Sequence, residues 1–312
     1  MLHIETIAEV RAACDRARAQ GLRVGLVPTM GFLHEGHRSL MRAARAACDV
    51  VVVTIFVNPL QFGAGEDLDR YPRDLTGDLA QCAQEGVDLV FAPSVAEMYP
   101  SGRPLTTVHV AGLTEGLCGA ARPTHFDGVA TVVAKLLAIT GPCSAFFGRK
   151  DAQQLAVIER LVEDLNLPVT VVGCSIVREP DGLALSSRNA YLSTEGRAAA
   201  RVLSRALGVA VTAMIAGERD PAALVDLVRG LVSAEPAVAL EYVEVRAKPE
   251  LTPVDLLDGD LLLALAARVG ETRLIDNISI SVRGAEVRAD LGTRLQPAEA
   301  THESGQESGS KQ

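Results

Sequence analysis

Residues 23–57 read RVGLVPTMGFLHEGHRSLMRAARAACDVVVVTIFV, and the order of patterns in this stretch decides the fold. Arg23–Val27 is a short apolar strand that runs into Pro28-Thr29-Met30-Gly31, and Ser39–Cys48 has helical spacing. Val50–Val57 is β-branched and apolar on both faces, as a central strand of a parallel sheet must be, and it breaks at Asn58-Pro59. Upstream, Ile7, Val10, Ala13 and Ala17 mark a helix over Glu5–Gln20 that stops at Gly21. Downstream, helical patterns over Leu75–Gln84, Val129–Thr140 and Ala152–Asn166 alternate with strands at Val87–Ala92, Ala145–Phe147 and Val169–Val172. This repetition predicts a Rossmann-like, doubly wound parallel α/β sheet whose ligands bind beyond the carboxyl ends of the strands.

Beyond Ser193 the pattern changes. Thr194–Ala216 and Pro221–Ala234 read as Ala/Leu/Val-rich helices, and Leu240–Val245, Leu261–Ala266 and Arg273–Ile280 as strands of a small antiparallel sheet. The expected organisation is a nucleotide-binding domain over 1–175, a smaller α+β C-terminal domain over 176–290, and a polar, disordered tail over 291–312.

Composition narrows the function. Thirty Lys+Arg against 39 Asp+Glu give a net charge of −9, and aromatic residues are 4% of 312 with no Trp. Duplex binding needs a basic footprint and single-strand binding needs exposed rings, so nucleic acid is not an expected partner. No run approaches the ~18 apolar residues of a membrane span; the best, Val129–Ile139, is interrupted by Lys135. The chain opens MLHIETIAEV without a signal-peptide pattern, and its six scattered cysteines show no metal spacing. A cytoplasmic location with free thiols is the expectation.

The polar motifs fall where such a sheet would place them. His34 and His37 in Met30-Gly31-Phe32-Leu33-His34-Glu35-Gly36-His37 are three residues apart at a helix start, so they face the same way and can hydrogen-bond the α- and β-phosphates of a nucleotide. By itself the pair also suits a glycine turn with two surface histidines; a zinc pair lacks a convincing third ligand. Set between a strand and a helix, His-x-Gly-His resembles the HIGH signature of the nucleotidyltransferase superfamily. Asn58-Pro59-Leu60-Gln61 ends the most apolar strand, where a carboxamide can hold a substrate hydroxyl or carboxylate, although Asn-Pro starts ordinary turns as well. Gly148-Arg149-Lys150-Asp151 again joins strand to helix, with Gln154 on the same face as Lys150. Leu185-Ser186-Ser187-Arg188 resembles a shortened KMSKS loop and equally suits a polar helix cap. Arg122 and His125, in Arg122–Gly128, either close over the site or merely start the next helix.

Taken in order, PTMGFLHEGH, IFVNPLQFG, RPTHFDGV, FFGRKDAQQL and LSSRNAYLS resemble the blocks of the pantoate–β-alanine ligase family, and the resemblance extends to about residue 290. It implies an AMP-forming, amide-forming ligase. Pantoate's carboxylate attacks the α-phosphate of ATP and expels pyrophosphate, and the amine of β-alanine then attacks the pantoyl adenylate and releases AMP. It assigns Met30–His37, Gly148–Asp151, Val177 and Leu185–Arg188 to ATP, with His34, His37, Lys150 and Arg188 catalytic and His37 as proton donor. Gln61 and Gln154 hold pantoate, with Gln61 also near β-alanine and with Asn58, Arg122 and His125 also facing substrate. Mg²⁺ is implied with the triphosphate, with Asp151, Asp78 or Asp88 as helpers, and a homodimer is implied as the assembly. The chain departs from the family pattern at Arg149, where Glu is frequent, at Ala152, where an aromatic is frequent, and at Cys118, where an acid is frequent. The competing readings are another HIGH-type adenylyl-transferring enzyme and a non-catalytic nucleotide-binding module.

Overall fold

The apolar runs of the first half pair side by side, all in one direction. In this computed structural model, which describes residues 1–63 and 65–296, the first of two compact units comprises Met1–Cys174 with Pro249–Leu251. Its strands are β1 (Leu2–Ile4), β2 (Val24–Thr29), β3 (Val50–Ile55), β4 (Leu89–Phe91), β5 (Cys143–Gly148) and β6 (Val169–Cys174). They form one parallel sheet in the order β1-β4-β3-β2-β5-β6. From β2 the chain steps outward to β3 and β4, then returns to the other side of β2 for β5 and β6. The strand order therefore reverses between β2 and β5, and the carboxyl ends of these two strands flank the crevice where ligands bind such sheets.

The helices are α1 (Ile7–Ala19), α2 (Glu35–Ala47), α3 (Leu75–Gln84), α4 (Val95–Met98), α5 (Leu117–Ala121), α6 (His125–Thr140) and α7 (Ala152–Asp164). Leu40, Met41 and Ala44 of α2 and Cys82 of α3 pack on Val27, Val51, Val53, Val90 and Phe146. The alternate residues Leu26, Val52, Leu89 and Ala145 are buried too, so both faces of the sheet are covered.

Differences from the expected elements have local causes. Helix α2 starts at Glu35, four residues before Ser39, because His34 caps it. Helix α6 starts at His125, four residues before Val129, and includes Gly128. Glycine argues against helix in sequence, but here a Cβ would lie 2.3 Å from the Leu60 carbonyl oxygen, so close packing demands it. Strand β1 is a three-residue edge strand held by its pairing with β4.

The second unit comprises Ser175–Lys248 and the chain from Thr252 onward. Helices α8 (Thr194–Ala200), α9 (Val202–Ile215) and α10 (Pro221–Ser233) pack on an antiparallel sheet of β8 (Val238–Ala247), β9 (Thr252–Pro253), β10 (Gly259–Val269), β11 (Thr272–Arg283) and β12 (Glu286–Asp290). The sheet order is β12-β11-β10-β8-β9. Thr194–Ile215 is long and apolar enough to cross a membrane by length and composition, but half of its apolar window is buried in the unit. Its buried side chains, among them Leu203, Leu207 and Met214, pack with Leu263, Leu265 and Ile278 of the sheet, which marks a core helix pair. Separately, β7 (Val177–Arg178) pairs in parallel with β13 (Thr293–Arg294). The reading of 291–312 as a disordered tail therefore needs correction at its start, since Thr293 and Arg294 are ladder residues; positions 297–312 lie outside the described residues.

Candidate active site

The turn after β2 is held from below by one carboxylate. Gly31 and Phe32 both adopt positive φ, 80° and 49°, which turns successive backbone N–H groups inward. Asp78 of α3, only 2% exposed, receives them: Phe32 N donates to Oδ2 at 2.9 Å and Leu33 N to Oδ1 at 2.7 Å. Burial raises the Asp78 pKa above the carboxylate norm, although the two N–H bonds pull the other way. Gly31 cannot be replaced without strain, because its Cβ would stand 2.8 Å from Asp78 Oδ2. The glycine this turn requires is thus Gly31, whereas Gly36 sits in the first turn of α2.

His34 and His37 cap α2 reciprocally. Gly36 N donates to His34 Nδ1 at 3.1 Å, and His34 N donates to His37 Nδ1 at 3.3 Å. This is a capping box built from two imidazoles in place of Ser and Glu. A backbone N–H can only donate, so each Nδ1 is an acceptor and each ring carries its proton on Nε2. The rings lie 4.1 Å apart between centroids. Burial, then the neighbouring His37 and Lys150, hold His34 well below the usual histidine pKa. Burial lowers His37 to about 4 against the opposing pull of Asp151, with Lys150 adding to the fall. At neutral pH both are uncharged donors, so the positive charge at this site comes from Lys150 and not from imidazolium.

The turn after β5 supplies Lys150 and Asp151, both within electrostatic reach of His37. Its third member turns elsewhere. The Arg149 side chain runs beside β6, with Nε placed 3.2 Å from where a Cβ on Gly173 would stand. Glu35, expected at ATP, instead faces Arg38 and Arg42 along α2. Gln154, in the first turn of α7, has no hydrogen-bond partner among the described residues, leaving its amide open to a ligand.

The substrate-side residues form a second cluster in the same unit. Gln61 is 8% exposed and donates from Nε2 to Met30 Sδ at 3.0 Å, which ties the turn after β3 to the turn after β2. Asn58 caps the short Pro59–Gln61 turn and is 1% exposed, so it supports Gln61 instead of meeting substrate directly. Arg122 makes a two-pronged pair with Glu66 and also donates to the Gln61 carbonyl oxygen at 3.3 Å. Burial raises Glu66, but the Arg122 pair outweighs it and the net shift is downward. His125 Nδ1 lies 2.8 Å from the Gln61 carbonyl oxygen, which can only accept. His125 is therefore protonated on Nδ1, and burial followed by the Arg122 charge lowers its pKa to about 4, leaving a neutral ring with an open Nε2 lone pair.

Val177, Leu185, Ser186, Ser187 and Arg188 belong to the second unit. Ser186 caps the short turn Ser187–Tyr191, accepting from Arg188 N at 3.3 Å. Asn189 in this turn donates to Glu179, which also takes both arms of Arg197.

Asp78 was visible in sequence only as one of three candidate Mg²⁺ helpers, since 45 residues separate it from Leu33. Tyr99 was not visible at all; its hydroxyl donates to Asn58 Oδ1 at 2.8 Å. Among the described residues no three His, Cys, Asp or Glu side chains gather into a metal cage.

A doubly wound sheet with an HxGH helix cap at its switch point and a lysine at the neighbouring strand end is the arrangement of nucleotidyl-transferring enzymes. The family model for pantoate–β-alanine ligase matches residues 2–279, and the chain belongs to that family. The pantothenate synthetase of Heliobacterium modesticaldum is 57% identical over 279 residues, covering 89% of this chain and 99% of that protein. A crystal structure of pantothenate synthetase from Thermus thermophilus superimposes with a TM-score of 0.84 at 47% identity, covering 89% of this chain and 98% of that one. The ligase from Francisella tularensis, solved with β,γ-ATP and β-alanine, gives a TM-score of 0.71 at 32% identity, covering 89% and 97%.

Proposed function

We propose that the crevice between β2 and β5 is where this chain, a ligase that joins pantoate to β-alanine in pantothenate, carries out adenylation. The observation that carries this reading is the reciprocal histidine cap, which leaves two Nε2–H donors beside Lys150. When the pantoate carboxylate attacks the α-phosphate of ATP, a bond forms to phosphorus and the bond to pyrophosphate breaks. Negative charge accumulates on the phosphoryl oxygens, and Lys150 with the two donors offsets it. Neutral histidines suit this task because they donate without having to lose or gain a proton first. His37 therefore acts as a hydrogen-bond donor to phosphate, and full proton transfer is not required of it. The amine of β-alanine, once deprotonated, then attacks the acyl carbon and AMP leaves with its electron pair.

Gln61 and Gln154 serve pantoate, Gln61 through its outward Nε2 and Gln154 through its open amide. The ATP and β-alanine held by the F. tularensis ligase support the same two substrates here. Mg²⁺ fits a chain without a three-ligand cage, since this ion keeps waters and substrate phosphates and needs one or two carboxylates. Asp151, exposed beside Lys150, would hold it; when bound, the ion neutralises triphosphate charge. Asp78 is already committed to two backbone N–H groups. A cytoplasmic homodimer completes the proposal.

Pantoate-dependent exchange of pyrophosphate into ATP tests the adenylation half directly. Exchange is expected with ATP, Mg²⁺ and pantoate alone, and pantothenate and AMP appear only when β-alanine is added. Exchange independent of pantoate would remove the reading.

A further inference from the structure

The Asn58–Gln61 turn is tied to more than its own backbone. Asn58 Oδ1 accepts from Leu60 N at 3.3 Å and from the Tyr99 hydroxyl at 2.8 Å. Asn58 Nδ2 donates to Gln61 Oε1 at 3.1 Å and to the Gly128 carbonyl oxygen at 3.0 Å. A backbone N–H can only donate and a carbonyl can only accept, so Leu60 and Gly128 together fix which end of the Asn58 amide is oxygen. With Nδ2 facing Gln61, the Gln61 amide must present Oε1 to it. Its Nε2 then turns away toward Met30 Sδ, with a second N–H still to offer. One end of the Gln61 carboxamide is thus chosen by Asn58, and the Tyr99 hydroxyl is the side-chain group that holds Asn58 in place from its oxygen end.

We propose that Tyr99 is a positioning residue: through Asn58 it sets Gln61 so that a donor, not an acceptor, meets the substrate. The proposal rests on the reading that Gln61 binds pantoate. Tyr99 suits a fixed role. It follows α4 at its C-cap, is 5% exposed, lies tilted at 6.0 Å from the Phe56 ring, and has the Lys135 ammonium 5.5 Å from its ring centroid. Packing on several sides leaves the hydroxyl one direction in which to donate. The consequence is selectivity. The remaining N–H matches a carboxylate or hydroxyl oxygen of a hydroxy acid and opposes an ammonium group. The acceptors of Gln61 are already taken, the backbone carbonyl oxygen by Arg122 and His125 and the side-chain Oε1 by Asn58.

Tyr99→Phe removes the hydroxyl and keeps the ring. The pantoate KM in the complete reaction is expected to rise about five- to tenfold, the scale of one lost hydrogen bond, while the KM values for ATP and β-alanine stay within twofold. The second arm is a double-mutant cycle with Gln61→Ala, which raises the pantoate KM by itself. If Tyr99 acts through Gln61, adding Tyr99→Phe to that background changes the pantoate KM no further. An unchanged pantoate KM in Tyr99→Phe, an equal rise in all three KM values, or additive effects in the double variant would each overturn the proposal. A Gln61→Ala enzyme with an ordinary pantoate KM would instead overturn the underlying assignment of Gln61, so the two failures are distinguishable. Should Tyr99→Phe melt below the assay temperature, Asn58→Asp serves in its place. It still accepts from Tyr99 and Leu60 but cannot donate to Gln61, and the same selective loss of pantoate affinity is expected; a normal pantoate KM there would also overturn the relay.

Discussion

Replacing Gly31 by alanine strikes the turn after β2 at its tightest point. The residue has φ +80°, and the added methyl would stand 2.8 Å from Asp78 Oδ2 and 3.0 Å from Ile55 Cγ2. Holding an L-residue in the left-handed region costs about 1–2 kcal/mol. Relieving the contact requires the Asp78 carboxylate to withdraw, and its charge-assisted bond to Phe32 N then weakens or breaks, at about 1.5–3 kcal/mol. Together the two effects place the loss at about 2.5–5 kcal/mol. In a unit of this size, at about 2–4 °C per kcal/mol, the melting temperature falls by about 5–20 °C. Differential scanning calorimetry of the purified variant reads that shift, and pyrophosphate exchange on the same sample reads the displacement of His34 and His37. A melting temperature within about 2 °C of the parent (below the smallest shift, which follows from the same scaling) would refute the argument. It would mean that the turn relaxes freely and that Asp78 does not brace it.

Other substitutions and conditions test separate parts of the structure. Lys150→Ala is expected to reduce kcat/KM for ATP by at least about 100-fold, roughly 2.7 kcal/mol, whereas Arg149→Ala changes it less than about threefold because that side chain runs along β6; equal losses would contradict the division between them. Lowered histidine pKa values also give stability a pH dependence. For His37 and His125 the folded state binds its proton only near pH 4, whereas the unfolded chain binds it near 6.5, so their contribution is present above pH 6.5 and is lost as pH falls toward 4. Denaturation midpoints measured from about pH 7.5 to 4 should decline across that window, and His37→Gln should flatten part of the decline. In the second unit, Arg178 and Asp276 form a bidentate pair at 2.7 and 2.9 Å with side chains 5% and 2% exposed. Asp276→Asn leaves the guanidinium buried without a counter-charge, so a loss of about 3–5 kcal/mol is expected from urea denaturation. Finally, if Arg188 has the ATP role that the family resemblance implies, Arg188→Ala should slow pantoate-dependent exchange; unchanged exchange would contradict that role.

The parallel sheet was legible because its cause is local. Val50–Ile55 cannot be a half-exposed strand when every residue is apolar or β-branched, and the turn signal Met30-Gly31 separates the strand before it from the helix after it. Helix ends were less legible, since α2 is started by a histidine, a residue that the usual cap preferences do not favour. Of the candidate site, the histidines, Lys150, Gln61 and Gln154 could be named from motif order alone. Their charge states could not be, because burial and a backbone cap decide them. Glu35, Arg149 and Asn58 were assigned to ligands through the resemblance; in the structure Glu35 faces Arg38 and Arg42 of its own helix, Arg149 runs beside β6, and Asn58 is held by Tyr99 and Gly128. The bracing role of Asp78, in sequence only one of three candidate Mg²⁺ helpers, and the role of Tyr99 stayed hidden because their partners are 45 and 41 residues distant, and no pattern within one segment encodes such a bond.

The cap of α2 has an implication for how this enzyme can change. The atoms that close the helix, Nδ1 of each ring, belong to the same side chains whose far nitrogens are proposed to meet the nucleotide. Folding and chemistry thus draw on one pair of residues, and neither can be adjusted alone. As the pH falls toward 4, His37 would take up a proton on the Nδ1 that closes the cap, and the first turn of α2 would fray as it did so. A conventional Ser/Glu box would restore the turn but deliver no donor to phosphate. Directed evolution of this site toward new acids in place of pantoate is therefore better aimed at Gln154, whose side-chain amide is not held by any such structural bond among the described residues.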